Sequence, residues 1–268
     1  MIKSNLRWPG GKSRMMPILE QFIPGKITKY LEVFTGGGSA LLYMTQTRNI
    51  EKIYANDIDA NLINYYNAVQ DNPISLINEI MTIKKNYTAE TFSSVYKSLD
   101  ISTPSGFFVA NKTSFSGISN SYSSSTYNAN FSLNAIKNIY LISKAIKNVR
   151  FLNLDYKDID STIQDFEDYF VYLDPPYYYN MDVGLYGERG TLHKGFDHDA
   201  LCDWVKAHAD QNKIMISYDD SSYIRALYKD FNMYSFDFTY TMTNVCREKC
   251  KIGKELIITN YEKPYQLF

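Results

Sequence analysis

Cysteine is scarce in this chain: Cys202, Cys246 and Cys250 are the only three in 268 residues. So few cannot build a disulfide framework, and they point to a reducing compartment. Cys246 and Cys250 share a Cys-x-x-x-Cys spacing, but the three histidines lie far away in sequence. Unpaired thiols are therefore expected, and no metal site. No apolar run approaches the roughly 20 residues that span a bilayer. The first residues lead into a polar, basic segment unlike a signal peptide. A soluble cytoplasmic protein is expected. A surplus of charge is also missing, because the net charge is −1.

Acids are unevenly spread. Residues 101–150 hold Lys112, Lys137, Lys144, Lys147 and Arg150 with no Asp or Glu, and the first 30 residues hold a single Glu20 among six basic residues. Such segments can face a polyanion while acids elsewhere balance the sum, or they can form a solvated basic face. Apolar residues make up 45%, and the length allows one large domain or a domain with an insertion.

Apolar runs at residues 29–34, 52–57, 149–154, 169–173, 213–218, 233–241 and 255–259 predict strands. Helical spacing predicts helices at 39–47, 61–69, 74–86, 89–99, 104–115, 133–147, 197–211 and 221–230, with Pro73 breaking the second. The stretch 119–134 is almost entirely Ser, Asn, Tyr and Thr, and predicts a long loop or weak hairpin. Alternation at both ends around a helical, polar middle predicts an α/β fold. It is a doubly wound, Rossmann-like sheet with a mainly helical insertion. The boundaries are 1–73 and 149–268 for the sheet domain and 74–148 for the insertion.

Two elements carry chemistry. Gly36-Gly37-Gly38 follows a strand and opens a helix, a turn that lets backbone approach a ligand. The next strand ends in Asn56-Asp57, where an acid can accept hydrogen bonds from ribose hydroxyls. Asp59 is the better cap for the following helix, which leaves Asp57 for a ligand. The frame G-x-G-x-x-G is missing, which suits a cofactor with a ribose but no pyrophosphate. The second element, Asp174-Pro175-Pro176-Tyr177, directly follows the run 169–173. An aromatic amine is a poor nucleophile until two acceptors draw its nitrogen toward tetrahedral geometry. Asp174 and the Pro175 carbonyl suit that task, the prolines fix their directions, and Tyr177 can stack on a base.

Together these residues resemble the Dam-type (class alpha) adenine-N6 DNA methyltransferases. Arg7-Trp8-Pro9-Gly10-Gly11-Lys12 is similar to the family's amino-terminal cofactor motif, Phe34-Thr35-Gly36-Gly37-Gly38 to its Phe-x-Gly-x-Gly element, and Asp174-Pro175-Pro176-Tyr177 to its catalytic tetrad. Asp155 matches an acidic position near the cofactor adenine, and residues 254–261 resemble the final strand. The resemblance implies S-adenosylmethionine as cofactor, with Trp8, Lys12, Phe34, Gly36, Gly38, Asp57, Asp155 and Asp174 around it. It implies a target-recognition role for 74–148 and base flipping from duplex DNA. Asn111-Lys112-Thr113-Ser114-Phe115-Ser116-Gly117 is similar to a segment that lies close to the flipped base. Lys112 stands where the family usually has Arg, so a bidentate phosphate grip is not carried over.

The expected DNA-facing residues are Lys112, Ser114, Phe115, Asn120, Tyr122 and Arg247. Asn120 and the Ser/Tyr/Asn stretch replace the family's hairpin, so GATC recognition is not carried over. A monomer or weak dimer is expected, bacterial or phage-encoded, with a cognate restriction nuclease as a possible partner. Competing readings are the same chemistry on RNA or single strands, methylation of cytosine N4, and a non-catalytic DNA-binding protein. Asp at 174, where cytosine enzymes commonly carry Ser, favours adenine. Trp204 is expected in the core, and His193 and His198 at the surface.

Overall fold

The computed structural model describes residues 1–117, 121–178, 195–239 and 252–264. Its strands are β1 (Lys29–Glu32), β2 (Lys52–Asn56), β3 (Val149–Leu152), β4 (Tyr169–Leu173), β5 (Lys213–Asp219), β6 (Asn232–Thr239) and β7 (Ile252–Thr259). They form one sheet in the order β3-β2-β1-β4-β5-β7-β6. Strand β7 runs antiparallel to both β5 and β6, and the other pairs are parallel.

The helices are α1 (Met16–Leu19), α2 (Ser39–Thr47), α3 (Ala60–Asp71), α4 (Pro73–Asn86), α5 (Ala89–Val95), α6 (Pro104–Thr113), α7 (Ser124–Asn130), α8 (Leu133–Ala145), α9 (Ile159–Thr162), α10 (His198–His208) and α11 (Ser222–Leu227). None is long and apolar enough to cross a membrane, among the described residues.

All five residues of β4 are buried, because helices cover both faces of the sheet, as parallel sheets require. Side chains alternate between the faces. Phe170 and Tyr172 join Tyr30 in a core built with α2, α3 and the helices of 74–148. Tyr169, Val171 and Leu173 join Leu31 in a second core with α10 and α11. Helices α4 to α8 thus contribute Ile80, Phe92, Phe108, Tyr127 and Ile139 to the same core as the sheet's first face. Pro73 ends α3 and occupies the first position of α4, where a missing N–H costs nothing.

One expectation is corrected and one element is added. The polar stretch 119–134 is not simply a loop or hairpin, because α7 occupies its middle. Ser123 caps that helix by accepting from the Thr126 N–H. Tyr127 and Phe131, four residues apart on one face, are buried at 3% and 0% exposure and supply the apolar payment. The amino-terminal helical turns at 12–22 were not predicted at all.

The order reverses between β1 and β4, which run side by side from the centre in opposite directions of winding. Ligands of open α/β sheets bind outside the carboxyl ends at such a switch point. Glu32 pairs with Tyr172 across these strands, so Phe34 and Asp174 lie at the same level beyond them. That register brings the glycine turn beside the Asp-Pro-Pro-Tyr segment.

Candidate active site

The glycine turn is shaped by protein rings as much as by any ligand. Gly36 and Gly38 have φ of 46° and 68°, a left-handed region that costs other residues strain. A Cβ on Gly36 would lie 2.5 Å from Trp8 Nε1, one on Gly37 2.7 Å from Trp8 Cβ, and one on Gly38 2.6 Å from the Tyr66 hydroxyl. The turn therefore admits Trp8 against its back while Tyr66 donates to the Gly36 carbonyl at 2.9 Å. Asp57 clasps the same turn: its Oδ2 accepts from the Gly36 N–H at 2.8 Å, and its Oδ1 accepts from the Asp59 N–H. Asp59 caps α3, as expected. Burial pushes the Asp57 carboxyl up to about 6. Asn56 ties the neighbouring strand ends together, donating to the carbonyls of Val33 and Leu154.

Asp174 sits at the end of β4 with two partners on one oxygen. Lys12 Nζ lies 2.6 Å from Asp174 Oδ1, and the Ser217 hydroxyl donates to the same atom at 2.9 Å. Oδ2 has no partner among the described residues. Burial raises the Asp174 pKa, and the Lys12 charge and both hydrogen bonds oppose that rise. Lys12 is itself buried, donates to the Gly10 carbonyl, and stands 4.9 Å from the centre of the Tyr177 ring. Ser217 also meets the Tyr172 hydroxyl at 2.9 Å. The Tyr177 hydroxyl donates to Glu255 Oε2 at 2.6 Å, and the Tyr178 N–H donates to Asp219 Oδ1. Tyr177 and the following Tyr178 are thus pinned by side chains from β7 and β5.

Between the glycine turn and Asp174 lies a cavity of about 320 Å³. Trp8, Lys12, Phe34, Gly36, Gly38, Asp57, Asp155, Asp174 and Pro176 all line it. Its walls mix aromatic surface (Trp8, Phe34, Tyr156, Phe196) with carboxylates (Glu32, Asp57, Asp155, Asp174). Glu32 is buried at 2% exposure, and burial holds its carboxyl well above the usual range, with Asp174 and Asp57 adding to the rise. A pocket of this kind suits a molecule with a flat ring, hydroxyls and a positive centre.

A family model described as D12 class N6 adenine-specific DNA methyltransferase matches residues 8–242. The chain belongs to this family.

Among relatives of this D12 class chain, the type II methyltransferase M1.LlaDCHI of Lactococcus lactis subsp. cremoris is 26% identical, with 97% of each chain covered. The type II methyltransferase M.MjaIII of Methanocaldococcus jannaschii is 27% identical over 66% of this chain and 69% of its own. A DNA adenine methylase of Haemophilus influenzae is 26% identical over 83% and 82%. A solved precorrin 8W decarboxylase structure aligns over 97% of this chain and 98% of its own, with a TM-score of 0.43 and 11% identity, too remote to bear on function. The family carries S-adenosylmethionine-dependent chemistry, and the cavity's donor set fits that molecule. Asp57 and Asp155 offer acceptors for hydroxyls and ring amine, Phe34 and Ile58 offer apolar faces, and the carboxylates favour a sulfonium.

The residues expected to face DNA are dispersed. Lys112 is buried at 6% exposure and Ser114 at 0%, whereas Phe115 is 60% exposed. The Ser114 carbonyl accepts from Arg7 Nη1 at 2.7 Å. The Tyr122 hydroxyl donates to the Ala89 carbonyl. Asn120, Arg247, His193, Cys246 and Cys250 lie outside the described residues. Cys202 is buried and Trp204 is in the second core, as expected for the tryptophan. His198 is not at the surface. It is 4% exposed at the start of α10, Nδ1 lies 2.7 Å from the Tyr218 hydroxyl, and its ring packs edge-on to Phe196. The reason is that the first position of α10 places its ring among those of Tyr178, Phe196 and Tyr218.

Several side chains that line the site or brace it were missed: Glu32, Asn111, Ser217, Asp219 and Glu255. A signal existed for four of them. Glu32, Ser217 and Glu255 are polar residues in apolar runs that the sequence predicts as strands, Asp219 directly follows one such run, and Glu32, Ser217 and Asp219 stand at carboxyl ends. Asn111 gave none beyond its place in the family-like segment. It accepts from the Arg7 N–H at 2.9 Å and donates to the carbonyls of Arg7 and Gly117 at 2.8 and 2.9 Å. One amide thereby joins the insertion to the segment that carries Trp8.

Proposed function

We propose that the chain transfers a methyl group from S-adenosylmethionine to the N6 amine of an adenine extruded from duplex DNA. The cofactor supplies an electrophilic methyl on a positively charged sulfur. Trp8, Phe34, Asp57 and Asp155 would hold it. The observation that carries the reading is the division of labour at Asp174: Lys12 and Ser217 occupy Oδ1, and Oδ2 is left at the cavity. Oδ2 would accept one amine hydrogen and the Pro175 carbonyl the other. Two fixed acceptors orient the nitrogen lone pair, so rate arises from positioning and electrostatics rather than from a strong base. Lys12 and Ser217 favour the carboxylate form against the cost of burial. The amine proton becomes acidic as the new C–N bond forms, and a carboxylate at hydrogen-bond distance receives it.

In this reading residues 1–73 and 149–268 form the catalytic domain and 74–148 the target-recognition part. Lys112, Ser114, Phe115, Asn120, Tyr122 and Arg247 are its DNA-facing candidates, and exposed Phe115 suits a contact with unstacked bases. The type II methyltransferase names of two relatives favour a restriction-modification role, and in this reading the chain acts in the cytoplasm as a monomer or weak dimer. Replacing Asp174 with Ala tests the chemistry. S-adenosylmethionine binding by calorimetry should persist while methyl transfer disappears. Transfer at the wild-type rate would remove Asp174 from the mechanism.

A further inference from the structure

Glu32 is a buried carboxylate with no part in the proposed reaction. It ends β1 and borders the cavity. Its own hydrogen bonds are made inside the protein. Oε2 accepts from the Tyr30 hydroxyl at 2.8 Å, and the Leu41 N–H of α2 also serves the carboxyl. Glu32 therefore acts on a ligand by its charge more than by direct bonding. The groups that face it are mostly acidic or neutral. Tyr172 of β4 pairs with it, and Asp174 follows on the same face of the sheet. Asp57 faces it from the end of β2, and the Tyr66 hydroxyl from α3. Asp59, Asp155, Asp197 and Lys157 border the same cavity. Lys12 is committed to Asp174 Oδ1 at 2.6 Å. Glu32, Asp57 and Asp174 thus repel one another around one buried ammonium. Burial holds the Glu32 carboxyl well above its usual range, against the Tyr30 bond, and the charges of Asp174 and Asp57 add to the rise.

We infer that Glu32 is the residue by which the site distinguishes S-adenosylmethionine from the spent S-adenosylhomocysteine: it is ionised beside the sulfonium and protonated beside the neutral thioether. The inference rests on the methyltransferase reading above. The reaction constrains where the sulfur lies. The methyl must point at an amine held at Asp174, so the sulfur belongs between Asp174 and the glycine turn. Glu32 stands on the strand that feeds that turn, level with Tyr172. The amine and carboxylate of the two molecules are the same, and only the sulfur differs in charge. Methyl transfer breaks the S–C bond, whose electron pair stays on sulfur, and forms the N–C bond. One amine proton is released to Asp174. That proton stays in the site and rests on Glu32 in the product complex. The loss of one positive charge is then matched by the loss of one negative charge. Binding of S-adenosylmethionine expels a proton and tightens as the pH rises, whereas binding of S-adenosylhomocysteine does not.

The test titrates the full chain with each molecule by calorimetry, in buffers of different ionisation enthalpy, which counts the protons exchanged. At about pH 7, S-adenosylmethionine should release up to about one proton more than S-adenosylhomocysteine. Between about pH 6 and about pH 8 the ratio of affinities should move toward S-adenosylmethionine by up to about tenfold per pH unit. Both effects should vanish in Glu32→Gln, which keeps the side chain's shape and an acceptor for Tyr30. Tyr30→Phe removes a donor that favours the ionised form, so the ratio should begin to rise at a higher pH. This milder variant keeps the test decisive if Glu32→Gln does not fold, and an unshifted profile in it overturns the inference. Equal proton counts for the two molecules also overturn it, as does a difference that survives unchanged in Glu32→Gln. In those cases both molecules still bind and the functional reading stands. If neither binds, the functional reading fails and the inference falls with it.

Discussion

Glu255→Gln tests whether the carboxylate behind Tyr177 is held at an energetic cost. Glu255 is 1% exposed and accepts the Tyr177 hydroxyl at 2.6 Å. Burial pushes its carboxyl from 4.5 up to about 7; Lys12 and the Tyr177 bond pull it down, and Asp174 and Asp219 push it further up. A rise from 4.5 to about 7 corresponds to about 3 kcal/mol. Because the folded-state value lies above the unfolded one, the contribution to stability is complete below about pH 4.5. It is lost as the pH rises through about 7. Gln keeps an acceptor for Tyr177 and carries no charge. Urea unfolding at pH 5 and pH 8 should therefore show wild type losing about 2 kcal/mol more than Glu255→Gln over that interval. Methyl transfer at pH 8 should stay within about threefold of wild type, since the Tyr177 clasp survives, and should fall in Glu255→Ala. Identical pH dependence of stability in wild type and Glu255→Gln would refute the reasoning.

Ser217→Ala removes a donor from Asp174 Oδ1 and the partner of the buried Tyr172 hydroxyl. A bond to a charged group contributes about 1.5–3 kcal/mol, so the single-turnover rate should drop roughly 10- to 100-fold while calorimetry shows little change in cofactor affinity. Asn111→Ala deletes the three hydrogen bonds of a buried amide and should cost about 2–4 kcal/mol in chemical denaturation. Gly36→Ala meets both a left-handed φ and the Trp8 ring. It should weaken cofactor binding measured by calorimetry by at least tenfold, roughly the effect of 1–3 kcal/mol of strain at the site.

Strands were legible because their runs are short, apolar and bounded by turns, and each of the seven predicted runs became a strand. The tetrad and glycine turn were legible because they follow such runs directly. What failed was long-range pairing. Asp59 caps α3 as expected and Asp57 lines the cavity, but no local pattern shows that Asp57 also accepts from the Gly36 N–H, 21 residues away. Ser217 meets Asp174 across 43 residues and Glu255 meets Tyr177 across 78. No local pattern encodes such contacts. The polar composition of 119–134 hid α7, because two aromatic residues four apart were enough to fix a helix that propensity alone would not.

Expression in a host without its own methylases, followed by mapping of modified bases in genomic DNA, addresses the central claim most directly. N6-methyladenine in one fixed sequence context, absent with Asp174→Ala, is the expected result. Methylated cytosine, or no new modification from the intact chain, would contradict it.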